Sequence, residues 1–149
     1  MPTTNKDVIE RLYREVWNGR KLGLIDQLFS KSHALDDPSV SGAAVGPAVY
    51  RSQVELFLDG FPDLRFTVNE TISEKEKVVA VWTVTGTHQG EFLGLAPSNK
   101  KMSIDGITVH EVADGKILES HVVWDALGLF DQLGIDTPFK ARKHAASSR

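Results

Sequence analysis

Acid–base chemistry is the one kind of catalysis for which this chain is visibly stocked. It carries 20 aspartate and glutamate side chains and five histidines but no cysteine. Thiolate nucleophiles, thiolate zinc sites and disulfides are therefore excluded. His33 lies close to Asp36, Asp37 and Pro38, which reads either as the mouth of a pocket or as ordinary Asp-Pro turn chemistry. His88 falls between Gly86 and Gly94, on the strand face of Trp82 and Val84. It either lines a pocket or belongs to a glycine-fixed bulge. His110 shares a face with Thr108, and an ordinary pKa of about 6.5 suits it to proton transfer if that face meets a ligand. Hydrogen-bonded packing is the alternative. Glu119 and His121 also share a face. Two such groups without a third seldom hold a metal, so a solvated or interface pair is the plainer reading. Asp125 stands directly before an apolar helical repeat, where a cap and a catalytic role compete.

These groups need elements to position them. Thr4 with Asp7 makes a capping-box variant, and Val8, Ile9, Leu12, Tyr13, Val16 and Trp17 follow at helical spacing until Asn18-Gly19. A shorter helix is predicted from about Lys21 to Phe29, then a loop over 30–46, rich in Ser, Gly, Asp and Pro. Pro47 opens a third helix that ends near Gly60. The period then changes to two. Leu64 to Ile72 alternates, Val78 to His88 is β-branched, and Met102 to Val112 runs into Lys116 to Trp124 through an Asp114-Gly115 turn. Asp125 to Leu133 returns to helical spacing, and Lys140 to Arg149 reads as a frayed, solvated tail despite its cations. Helices first and hairpin-linked strands later describe an α+β domain with an antiparallel sheet. Such a sheet, curled around the early helices, would leave a concave apolar pocket. Tyr13, Trp17, Phe57, Trp82, Phe92 and Trp124 are core residues first, and some share a wall with that pocket.

Composition limits the rest. The chain has 149 residues, 41% hydrophobic and 25% charged, which suits one ordinary globular domain. A net charge of −3 disfavours attraction to nucleic acid or anionic lipid. There is no apolar run long enough to span a membrane and no apolar leader after Met1, so a cytoplasmic location is expected. No Gly-x-Ser-x-Gly elbow supports a hydrolase triad, and no helix start follows Gly94 to make a phosphate loop.

Five strings are similar to one family: Trp17-Asn18-Gly19, Phe61-Pro62-Asp63-Leu64, the stretch from Gly86 to Gly94, Asp114-Gly115-Lys116-Ile117 and Gln132-Leu133-Gly134. In this order, from about Asp7 to Gly134, they resemble the SnoaL-like polyketide cyclases of the nuclear-transport-factor-2-like superfamily. The resemblance implies a cone-shaped α+β barrel, with a bent antiparallel sheet wrapped around N-terminal helices, a deep pocket and a C-terminal helix. It implies a homodimer or homotetramer and no metal or organic cofactor. It also implies ring closure of a polyketide ester by intramolecular aldol condensation, in which one carboxylate of raised pKa shuttles the proton.

Residue by residue, the resemblance puts the acid/base Asp five positions after Ile117, on Val122, and its supporting His six before Asp114, on Thr108. Pocket-tuning positions fall on Trp17, Gln53 and Asp37. The fold carries over and the catalytic pair does not. The leading expectation is a pocket protein that acts on or binds a small hydrophobic carbonyl compound, with His110, His88 or Asp125 as proton carriers and Asp37 contributing from its loop. Strand parity turns Asp125 away from Val122. A non-catalytic ligand-binding or interaction module is the competing expectation, and another activity of the superfamily, such as isomerisation, a third.

Overall fold

A computed structural model describes residues 4–40 and 44–136. The expected tail at 140–149 lies outside the described residues. Helix α1 (Asn5–Arg11) starts from the predicted cap: the Thr4 side chain accepts from the Asp7 amide while the Asp7 carboxylate accepts from the Thr4 amide. It continues as a π-helix over Leu12–Asn18, a widened turn of the kind that often marks functional positions, and this segment carries Tyr13 and Trp17. Asn18 then pins the helix end to a strand, donating to the Phe66 carbonyl at 2.9 Å and accepting from its amide at 2.8 Å.

The next stretch departs from expectation. A 3₁₀ turn (Leu22–Leu24) leads into a short helix α2 (Ile25–Leu28), and the supposed loop is strand β1 (Phe29–Asp36) followed by β2 (Ala44–Val45). The period-two signal was hidden because β1 is irregular: its register on its partner shifts between Phe29 and Ala34. Helix α3 (Pro47–Gly60) and strands β3 (Arg65–Glu74), β4 (Lys77–Thr87), β5 (Lys101–Ala113) and β6 (Lys116–Trp124) match the predicted pattern, and α4 (Ala126–Gln132) follows.

The six strands form one sheet in the order β2-β1-β6-β5-β4-β3. β1 runs parallel to β6, so the sheet is mixed and not closed, where an all-antiparallel one was expected. Register shifts in β3 and between β5 and β6 bend it, as bulges do. Along β5, Met102, Ile104, Gly106, Thr108, His110 and Val112 are buried and alternate with more exposed residues. Cross-strand pairing sorts the inner face into rows: Val78, His110 and Ser120; Ala80, Thr108 and Val122; Trp82, Gly106 and Trp124. The stripe on α1 and its π continuation joins this face in a single core with α3. No helix among the described residues is long and apolar enough to cross a membrane.

Candidate functional site

The rows of the inner face explain where a cavity opens. Thr108 and Val122 form a shallow floor, because neither side chain is large. On the next row Gly106 lies between two tryptophans, and a Cβ there would strike the Trp82 ring. The space above is bounded by Tyr13 and Trp17 of the π segment, by Tyr50, Gln53 and Phe57 of α3, by Leu35 of β1 and by Asp37 just after it. Trp82 and Trp124 close its sides. The cavity is narrow, with a volume of about 40 Å³. A ligand of ring size therefore needs its aromatic walls to shift.

Asp37 is the one carboxylate on this wall among the described residues. Its Oδ1 accepts from the Ser39 amide at 2.8 Å, the Ser39 hydroxyl at 2.6 Å and the Trp124 indole N–H at 3.1 Å. Gln53 in turn donates to Ser39 Oγ at 2.5 Å. The turn chemistry and the pocket position, competing readings of Asp37-Pro38, hold together: the bond to the amide two residues on is an Asx turn, and it aims the buried carboxylate inward. Oδ2 has no hydrogen-bond partner among the described residues.

The opposite side is neutral. Trp17 donates to Tyr50 Oη at 2.9 Å, and burial drives the Tyr50 phenol well above its ordinary pKa. Burial likewise raises Tyr13, only partly offset by the neighbouring Thr108 and Trp82 donors. Tyr13 Oη lies 3.1 Å from His110 Nε2, and Ser120 Oγ lies 2.8 Å from His110 Nδ1 and 2.9 Å from His33 Nε2. Burial lowers His33 to about 4 and His110 to about 3, the latter helped by His33 itself. Both rings are neutral at pH 7.

The structure gathers most of the predicted lining and separates the predicted proton carriers from it. Tyr13, Trp17, Asp37, Gln53, Phe57, Trp82, Thr108, Val122 and Trp124 border the cavity. Phe92 does not; it is buried against Phe57 and Phe61 in the neighbouring core. His110 stands behind Tyr13 rather than on the wall, because the π segment lays the phenol over it. His88 is also off the wall. Its Nδ1 meets Ser98 at 2.9 Å, and its ring packs on Phe61. Asp125 is exposed and caps α4, accepting from the Gly128 amide at 2.8 Å. His121 pairs at the surface with Asp36 at 2.7 Å, not with Glu119. No group of three or more metal-ligating side chains occurs among the described residues. Leu35, Tyr50, Leu64, Phe66, Val84 and Ile104 were missed as lining, and Ser120 as the link between the histidines. Reading 30–46 as loop concealed Leu35, the others read equally well as core, and a lone inward serine carries no local signal.

A family model described as SnoaL-like polyketide cyclase matches residues 7–133. The chain belongs to that family. Solved structures show the same fold. An assigned SnoaL-like polyketide cyclase from Jannaschia sp. CCS1 superposes with a TM-score of 0.82 at 23% identity, covering 92% of this chain and 97% of that one. IdmH from Streptomyces antibioticus, assigned as a polyketide cyclase, gives 0.76 at 22%, with 89% and 99% covered. AclR from Streptomyces galilaeus, assigned as a hydroxylase, gives 0.75 at 27%, with 87% and 95% covered. No curated protein matches. The fold thus carries more than one assigned activity, and the reaction has to be argued from the site.

Proposed function

We propose that the cavity takes up a small, hydrophobic, enolisable carbonyl compound and that Asp37 is its proton-transfer group, in a cyclase-like aldol ring closure. The observation that carries this reading is the Asp37 carboxylate, buried on an apolar wall with Oδ1 held by Ser39 and Trp124 and Oδ2 left uncommitted. Its Oδ2 removes the proton between two carbonyls, and the resulting enolate carbon attacks a second carbonyl of the same molecule. The new alkoxide takes the proton back from Asp37, so one C–C bond forms and the carboxylate is regenerated. Proton return to a different carbon, without ring closure, would make the same group an isomerase.

Val122 favours a second reading. It stands where the resemblance puts the acid/base Asp, and a scaffold without that acid would bind the ligand and not transform it. Thermal-shift screening against aromatic polyketide esters and steroids, followed by product analysis, separates the two. Binding and turnover in the wild type, with turnover lost and binding kept in Asp37→Asn, supports Asp37. Unchanged turnover in that variant rejects it. Binding without turnover, with ring closure gained in Val122→Asp, supports the binding module. No stabilisation by any compound of the panel would count against a small-molecule role.

A further inference from the structure

The hydrogen-bonded chain behind Tyr13 has one arrangement of protons that leaves the fewest polar atoms unpaired. A hydroxyl has one proton to give, and so does a neutral imidazole. The chain runs Tyr13 Oη, His110 Nε2 and Nδ1, Ser120 Oγ, His33 Nε2, and at its far end His33 Nδ1 is buried with no partner. Suppose the protons ran from Tyr13 toward His33. His33 would then accept from Ser120 on Nε2 and carry its own proton on Nδ1, as a buried N–H with no acceptor. Suppose instead that Ser120 accepted from both rings. Its own buried proton would then lack an acceptor among the described residues.

The remaining order avoids both. His33 Nε2–H donates to Ser120, the Ser120 hydroxyl to His110 Nδ1, and His110 Nε2–H to Tyr13 Oη. Only the bare lone pair of His33 Nδ1 stays unpaired, and buried donors are left orphaned more rarely than acceptors. On the cavity floor beside Tyr13, Trp82 Nε1 can only donate, and it donates to Thr108 Oγ1 at 3.0 Å. The Tyr13 oxygen receives from the protein, and its own proton is left for the cavity that Tyr13 borders.

We propose that Tyr13 is the hydrogen-bond donor to a ligand oxygen, its proton turned into the cavity by the ordered chain His33, Ser120 and His110. Tyr13 touches the ligand, and the other three are positioning residues. The ligand this selects is neutral and largely apolar, with an acceptor oxygen placed against Tyr13 and an acidic C–H against Asp37. As that C–H is ionised, charge grows on the oxygen, where a fixed donor in a dry site is most effective. This rests on the reading that a carbonyl compound enters the cavity, but its proton order is testable without one.

Histidine ¹⁵N NMR of the ligand-free protein, with each ring assigned by single replacement, is expected to show His110 and His33 both protonated on Nε2 at pH 7. His110 protonated on Nδ1 would overturn the proposal. The second arm uses the infrared carbonyl stretch of carbonyl-labelled 2-acetylnaphthalene. Bound to the wild type, the stretch is expected at lower frequency than when bound to Tyr13→Phe. His110→Gln keeps a side-chain N–H for Tyr13 and should retain most of the shift, whereas His110→Leu should lose it. A stretch that is the same in the wild type and Tyr13→Phe rejects the donor. If no variant takes up the ketone, the carbonyl reading is what fails, and the tautomers still decide the proton order.

Discussion

Burying His33 and His110 makes the stability of this protein depend on pH in a direction set by where their protons go. In the unfolded chain each imidazole takes a proton near pH 6.5, whereas in the folded protein they do so only near 4 and 3. Between those limits the unfolded state binds more protons, so stability falls as the pH falls, by about 1.4 kcal/mol per pH unit for each ring. Denaturant midpoints measured from pH 7 to pH 4.5 should drop steadily, and His33→Gln should flatten the slope. A level profile across that range would contradict the burial of neutral rings. At this scale the sequence was a fair guide to residue type and a poor one to depth. Parity puts His110 on the inner face correctly, but only Tyr13, packed over it from a helix 97 positions away, takes it off the cavity wall.

The elements explain why family was legible and chemistry was not. The strings that resemble the family are clamps. Asn18 holds the backbone of Phe66, Asp63 accepts from the Thr87 amide and hydroxyl, and Gln132 bonds both the amide and the carbonyl of Ser103. Asp114 and Gly115 both take the positive φ that a tight hairpin requires. Each is local and depends on one residue type, so each can be read from the chain. Asp125 belongs with them: Asp125→Ala should cost about 1 kcal/mol in stability by loss of the α4 cap and leave ligand-induced thermal shifts unchanged. Gly106 marks a close approach of a different kind. Gly106→Ala puts a methyl group into the Trp82 ring and should cost about 1–3 kcal/mol by overpacking. It should also weaken ligand binding, since the indole it displaces is a cavity wall. Equal binding by this variant and the wild type would mean that the wall is not used.

For the whole molecule, the outer face of the sheet is the conspicuous surface. Ile72, Ile107 and Val123 are 52%, 47% and 57% exposed, and Val81 pairs with Ile107 between them. Contiguous exposed apolar side chains on a sheet are characteristic of an interface. We propose that this face joins two copies of the chain, the homo-oligomer expected from the resemblance. Sedimentation should show a dimer or larger assembly for the wild type and a monomer for Ile107→Glu, whose inner-face cavity is untouched. A wild type that sediments as a monomer at micromolar concentration would reject this.

What the sequence determined by itself was whatever sequence neighbours decide: the capped first helix, the Pro47 helix, the alternating strands, the hairpin at Asp114-Gly115 and the family those pieces spell. Periodicity also separated the inner face from the outer, because a strand has only two. Only the tertiary structure decided that β1 exists and lies parallel to β6, a pairing between segments about 85 residues apart with no local signature. It alone put His110 behind a tyrosine and His88 against Phe61, both off the cavity wall. Each outcome depends on which distant element packs over a side chain, and that is a matter of depth, which no one-dimensional pattern encodes.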